Sequence, residues 1–502
     1  MRTASRHLGA DLLPQWRWAG FIAAAALANV AIAVALGSGK AIAAVPLALL
    51  PITLLAFGVL LSAHRVVLVF VALALNFTGL SILDRPLPLP GGTALYATDV
   101  ILLLAVAAWT AERLAGGDQE RERRALPLVA TWPLLLLTAS VALAVARGNE
   151  HFGTGIFGQP ARLILYAGIA AALTDATAPA LWRGITIVFY SGAVVQFCYA
   201  LFHLAFGGSQ TTSNNLSTGG TRILALSTSL YLVGSLVCAL LNLERSGEPV
   251  GRQIGHAAIA CLALFGIIVS FGRTVYLAVA LILLTLFLTR KALRHSVAWL
   301  LPLFLPALIA VILLIPVFAP TLAPTLTSRI TAPPSSDMNV QWRNRGRDVA
   351  IAGLDQHLLT GFGFGRPVRF VFHGRHYDLT GDPHNSYLYL LVGGGLMALG
   401  SLIAVMLAFV FDVVRRLRRS AGAEQSLLIW SLCFWCTIML NALAEPILTD
   451  ATLLMTIWIL MIVPWSVPVR AWRSAPAEAK APRHPARSTT GAPVSTRVIA
   501  RS

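Results

Sequence analysis

Three arginines at alternate positions, Arg343, Arg345 and Arg347, precede a glycine-rich turn, Gly361-Phe362-Gly363-Phe364-Gly365, and then Pro383-His384-Asn385. Guanidinium groups present a rigid fork of donors that suits phosphate oxygens. A neutral imidazole can take a proton from a hydroxyl. A fourth arginine, Arg273, stands in Ser270-Phe271-Gly272-Arg273-Thr274 between two apolar runs. Cations and a base in one place would suit a reaction on an anionic substrate. Each feature also has a plainer reading. Arg273 fits a snorkelling helix end as well as an anion clamp. The arginine run fits a solvated charged face, and His384 fits a residue at a helix entry.

Other polar residues are weaker candidates. Arg162, Arg222, His151, Glu445 and Asp450 could line a cavity. Glu445 precedes Pro446 between the last two apolar runs, where it would orient an arginine or the histidine, or only cap a helix. Arg366, Arg369 and Arg375 suit either phosphate contact or solvation. Pro383 fixes the approach to a helix beginning near Asn385 or Ser386, and Tyr387 and Tyr389 read as interfacial anchors. The glycine triplet lacks the strand–helix surroundings of a dinucleotide site and reads as a tight turn that uses glycine's unusual backbone angles.

The elements that must position these residues are membrane helices. Of 502 residues, 57% are hydrophobic and 12% charged, and the mean hydropathy is +0.75. A soluble domain is about half apolar and about a quarter charged. Apolar runs recur from end to end, and about 20 residues span a bilayer as helix. Alternating barrel strands are absent, so the spans read as helical. No signal-peptide cleavage pattern precedes the first run. Candidate spans lie at 18–36, 42–62, 66–83, 97–112, 128–146, 160–174, 184–206, 223–243, 254–271, 274–289, 297–318, 385–411, 425–443 and 450–468.

The net charge of +17 does not point to nucleic acid, because much of it sits in short loops that orient spans. With the N-terminus inside, about 18 basic residues fall in the short cytoplasmic segments against about 6 outside. The long loop, about 319–384, then lies on the outer face. The expected organisation is 1–318, transmembrane helices; 319–384, extracytoplasmic loop; 385–472, transmembrane helices; and 473–502, a disordered basic cytoplasmic tail. Cys433 and Cys436 form a CxxC within a span, without a second pair or histidines. They read as inert membrane-buried thiols, with a metal or redox site as the alternative.

The chain has no DxD pair for a metal-held nucleotide sugar, no Walker loop and no soluble nucleotide-binding unit. A donor activated on the outer face would have to be lipid-linked. Together the features resemble the O-antigen ligase/polymerase family of bacterial membrane glycosyltransferases, most specifically over about 273–400. Three pieces carry the resemblance: Ser270–Thr274 opening a span, Arg343 some 18 residues ahead of the glycine turn, and His384-Asn385-Ser386-Tyr387-Leu388 followed by Leu390–Gly400. Where the family often has Trp four residues after the loop arginine, this chain has Arg347. Where Pro commonly stands shortly before the turn, it has Leu358-Leu359-Thr360.

The resemblance implies an all-α integral membrane protein of about 12–14 transmembrane helices, similar to membrane glycosyltransferases of the GT-C type, with an outer loop folded as short helices. It implies that Arg273 and Arg343, with Arg345 and Arg347 as further candidates, bind the diphosphate of an undecaprenyl-diphosphate-linked glycan. It implies that His384 deprotonates an acceptor sugar hydroxyl, with inversion at the anomeric carbon. Arg162, Arg222, Arg366, Asn385 and Glu445 are secondary site candidates. No cofactor or metal is expected. Acceptors in keeping with the family are lipid A–core, another lipid-linked repeat or a glycoprotein. The expected location is the cytoplasmic membrane, with both termini inside and the site outside. A lipid-linked oligosaccharide flippase and a polytopic peptidoglycan glycosyltransferase relying on Asp348, Asp378 or Asp382 are the competing readings.

Overall fold

A computed structural model of the chain describes residues 65–78, 87–88, 94–114, 128–152, 177–206, 224–245, 248–270, 272–298, 302, 338–379, 384–445, 447–448 and 451–466. The spans expected at 18–36, 42–62 and 160–174 lie outside these residues, as does the span at 297–318 except for 297, 298 and 302, and as do Arg162, Arg222, Asp382, Asp450 and the tail.

The other ten expected spans are helices. In chain order the elements are α1 (Arg65–Thr78), β1 (Leu87–Pro88), β2 (Ala94–Leu95), α2 (Ala97–Leu114), α3 (Leu128–Phe152), α4 (Ala178–Phe206), α5 (Leu226–Leu243), α6 (Val250–Val269) and α7 (Arg273–Thr289). There follow α8 (Lys291–Ala298), α9 (Met338–Ile351), a 3-10 turn (Leu354–His357), β3 (Arg369–Phe372), β4 (Arg375–Asp378), α10 (Ser386–Leu417), α11 (Gly422–Asn441) and α12 (Ala451–Ser466). Among the described residues, α3, α4, α6, α10 and α11 are long and apolar enough to cross a membrane, and α7 joins α8 across a 107° bend. The chain is an all-α polytopic membrane protein, and residues 338–379 ahead of α10 fold as a helix, a 3-10 turn and a hairpin.

Helix α5 is the centre of the bundle. It is buried on every side, from Thr228 to Leu243. It packs on α4, α6 and α11. Its polar groups are satisfied internally, as lipid requires. Ser235 Oγ donates to the Phe189 carbonyl at 2.9 Å, and Trp430 Nε1 donates to the Gly234 carbonyl at 2.9 Å. Phe77, Phe189 and Phe434 interlock around its Tyr231.

Helix α10 is broken at Gly395, whose φ of 65° and ψ of −164° are not helical. The break is filled by the glycine turn of the loop. In an unbroken helix, the amides of Leu396 and Met397 would bond the carbonyls of Val392 and Gly393. Here those carbonyls accept from Phe362 and Gly363 at 2.9 Å each, while Leu396 and Met397 donate to Leu358 and Leu359 at 2.8 and 3.1 Å. Phe364 adds a bond from its amide to Ala144 of α3 at 3.1 Å. The loop is therefore stitched into the helix bundle by backbone bonds. A Cβ on Gly361 would lie 2.5 Å from the Gly393 carbonyl oxygen.

Candidate active site

The site is assembled by the turn that follows α11. A helix C-terminus leaves carbonyls without intrahelical partners, and arginines commonly take them. Arg343 and Arg347 are one helical turn apart on α9, so both face this turn. Arg343 donates to the Ala444 carbonyl at 2.8 Å and to Glu445 Oε1 at 3.1 Å. Arg347 donates to the Leu443 carbonyl at 3.2 Å. Arg345, half a turn away, is exposed.

His384 enters the same turn from the other side. Its Nδ1 lies 3.9 Å from Glu445 Oε2, and its ring centroid is 5.0 Å from that of Trp342. The backbone here is tightly specified. His384 has φ of 48°, a left-handed value unusual for a residue with a Cβ. Asn385 caps α10 by accepting from the Leu388 amide at 2.9 Å, which is the preferred use of Asn at such a position. The Ser386 amide donates to the Ala442 carbonyl at 2.9 Å. Ser386 Oγ donates to the Glu445 carbonyl at 3.0 Å and accepts from the Leu448 amide at 3.0 Å. Position 384 is thus pinned to the Glu445 turn by its next two residues.

Arg273 is the first residue of α7. Its neighbour Thr274 donates from Oγ1 to Asn441 Oδ1, and Asn441 is the last residue of α11. The segment carrying Arg273 is thereby joined to the same turn.

Glu445 is 9% exposed, and it lies against Arg343 and His384 at once. Burial, and then the charge of Arg343, push the Arg347 guanidinium below its ordinary pKa. The Nε atoms of Arg343 and Arg347 are buried without a hydrogen-bond partner. Buried donors are normally satisfied, so these two are exceptions that set the site apart.

The other candidates take different places. Arg366 donates to the Ala350 and Ala352 carbonyls at 3.0 and 2.7 Å and stacks over Phe362 at 3.7 Å. It closes the end of α9. Arg369 pairs with Asp378 at 2.8 Å on the hairpin. His151 Nδ1 lies 2.9 Å from the Arg147 carbonyl oxygen. Asp348 is exposed. Tyr387 OH donates to the Met439 carbonyl at 3.1 Å, and the Tyr389 ring packs on Phe364 at 5.0 Å. Cys433 and Cys436 lie along α11, both half-buried. No group of three His, Cys, Asp or Glu residues that could hold a metal ion occurs among the described residues.

Trp342 and Asn441 were not singled out by sequence, and Ser386 was read as a helix start and not as a site residue. The only signals were that Trp342 adjoins Arg343, Ser386 follows the His384-Asn385 pair, and Asn441 ends an apolar span four residues before Glu445.

In comparisons with known proteins, residues 257–403 match the family described as O-Antigen ligase. The match covers Arg273, α9, the glycine turn, His384 and the break in α10; Glu445 lies beyond it. No curated protein matches the chain. The chain is thus a polytopic membrane protein whose residues 257–403 are similar to the O-antigen ligase family.

Proposed function

We propose that the protein is a metal-independent inverting glycosyltransferase. It moves a glycan from undecaprenyl diphosphate to an acceptor sugar hydroxyl on the outer face of the cytoplasmic membrane, as a ligase or polymerase of surface polysaccharide. One observation carries the reading: the Glu445 turn gathers two arginines with unused buried donors and a histidine held beside a carboxylate.

The chemistry follows from those groups. His384 takes the proton of the acceptor hydroxyl. The oxygen forms a bond to the anomeric carbon from the face opposite the diphosphate. The bond from that carbon to the phosphate oxygen breaks, and its electron pair leaves with the lipid diphosphate. This leaving group needs neutralisation of charge more than a proton. Arg343 and Arg347, with Arg273 contributed by α7, supply fixed positive charge, which is worth most where donors are preorganised. Glu445 holds Arg343 and the imidazole in register and is a positioning residue. A general base contributes about 10²–10⁴-fold. In this reading both termini and the 473–502 tail are cytoplasmic, and the 319–384 loop is external.

The test is a proteoliposome assay with undecaprenyl-diphosphate glycan in the presence of EDTA. Wild type should release undecaprenyl diphosphate together with a larger glycan. His384→Ala and Arg343→Ala should lose this activity while remaining folded. Glu445→Gln should lower kcat roughly 10²-fold, the scale of a misplaced catalytic group. Movement of the lipid-linked glycan across the bilayer with no new bond would overturn the transferase reading in favour of a flippase. Normal transfer by His384→Ala with loss in an aspartate variant would move the base elsewhere. Product analysis would name the acceptor.

A further inference from the structure

The hairpin β3–β4 has no part in the chemistry above. Its turn, His373-Gly374, has positive φ at both residues, 46° and 75°. That is the pattern of a type I′ turn, whose twist matches the flanking strands. The register pairs Phe370 with Tyr377 and Phe372 with Arg375. Successive side chains on a strand point to opposite faces. One face therefore carries Arg369, Val371, His376 and Asp378, all exposed. The other carries Phe370, Phe372, Tyr377 and Arg375.

This second face is continuous with the site. The Trp342 ring lies 5.0 Å from His384 and 5.4 Å from Tyr377. Tyr377 stacks on Phe370 at 5.7 Å and meets Phe372 at 6.5 Å. Phe370 is buried, but Trp342, Tyr377 and Phe372 are only half-buried, and Arg375 at the end is exposed. A row of three partly open rings thus runs from His384 to a cation. Trp342 also has an indole Nε1 without a hydrogen-bond partner.

We propose that this row is the subsite for the acceptor glycan. Pyranose rings would lay their apolar C–H faces on Trp342, Tyr377 and Phe372, and Arg375 would favour a carboxylate- or phosphate-bearing sugar at the far end. The assignment to the acceptor rests on the reading of His384 as its base. The base must touch the acceptor hydroxyl, and the row begins at His384, whereas the arginines facing the Glu445 turn serve the donor diphosphate. Aromatic rings of this kind combine large apolar faces with few rotatable bonds.

The experiment is calorimetric titration of the detergent-purified full chain with a uronic-acid-containing tetrasaccharide and its neutral counterpart, alongside acceptor KM in the transfer assay. Phe372→Ala and Tyr377→Ala should weaken binding of both sugars, and raise acceptor KM, about tenfold, one decade in the dissociation constant. Arg375→Gln, at an exposed position, should weaken the acidic sugar alone. Val371→Thr, on the opposite face, should bind as wild type does. His384→Ala should bind acceptor while failing to transfer, which separates failure of the subsite from failure of the base. Equal affinity and acceptor KM in wild type, Phe372→Ala, Tyr377→Ala and Arg375→Gln would overturn the proposal. The rings would then be only the small core of the loop, against Ala350 and Val368.

Discussion

At the scale of single residues, the site is a balance of few charges. Glu445 is a carboxylate that Arg343 and His384 share, and Arg347 donates to a backbone carbonyl of the same turn. His384 is also held in a backbone conformation that its side chain does not favour, with φ of 48°. Sparsely populated conformations of this kind persist where the surroundings over-determine them, and they cluster at functional sites. The Asn385 cap and the Ser386 bonds to the Glu445 turn are those surroundings. A pair of substitutions separates strain from chemistry. His384→Gly and His384→Ala both delete the imidazole, so both should be inactive. Glycine tolerates positive φ and alanine does not. The glycine variant should therefore be the more stable by about 1 kcal/mol, the lower end of the cost of such strain. Thermal unfolding in detergent, followed by circular dichroism, measures the order. A glycine variant that melts below the alanine one would show that position 384 is not strained.

At the scale of elements, the decisive feature is the exchange of backbone partners between the glycine turn and the break in α10. Unpaired backbone groups cost several kcal/mol each in a lipid environment, so neither segment is stable there without the other. The exchange requires backbones to approach without side chains between them. Gly361→Ala would place a Cβ 2.5 Å from the Gly393 carbonyl oxygen, at a φ of +63°. The obstacle is backbone, which cannot rotate away. This variant should fail to accumulate as a folded monodisperse protein. In the same helix, a Cβ at Gly400 meets nothing within 4 Å, so Gly400→Ala should be neutral or stabilise by up to about 1 kcal/mol through helix propensity. Size-exclusion profiles and melting temperatures of the two variants test the contrast. If Gly361→Ala behaves like Gly400→Ala, the two segments do not dock as described.

The same elements mark how far the sequence could be read. Glycines at alternate positions declared a turn, and the structure gives them φ of 63°, 93° and 98°. What the turn docks against was not legible, because Val392-Gly393-Gly394-Gly395 reads as one more apolar stretch. The resemblance put Arg343 first among the three arginines and left Arg345 and Arg347 as further candidates. Helical geometry separates them, since 343 and 347 share a face while 345 does not. The start of α10 was legible because Pro, Asn and Ser carry local signals. The importance of Glu445 was not, because its partners lie 61 and 102 residues away. The hairpin was hidden too: four-residue strands with two basic residues among them give little periodic signal.

At the scale of the whole molecule, the arginines at helix ends bear on orientation in the membrane. The end of α10 and the turn after it carry Arg415, Arg416, Arg418 and Arg419. Arg416 is 6% exposed; it pairs with Glu424 of α11 at 3.0 Å and donates to the Pro464 carbonyl of α12. Arg290, at the bend between α7 and α8, pairs with Glu244 after α5 at 2.8 Å. Arginines thus tie helix ends together at the end of α10 opposite His384. An excess of arginine in short connections marks the cytoplasmic side, while long loops escape that rule. The turn at 418–422 should therefore face the cytoplasm and the loop at 338–379 the exterior. Single reporters test this in a background without the five native cysteines. Val371→Cys, 51% exposed on the hairpin, should react with a membrane-impermeant maleimide in intact spheroplasts. Ala421→Cys, exposed in the turn before α11, should react only after permeabilisation. The reverse pattern would put Arg343, Arg347 and His384 on the cytoplasmic side, within reach of nucleotide-activated sugars. The argument for a lipid-linked donor would then fail, because that argument depends on the site lying where nucleotide sugars do not reach.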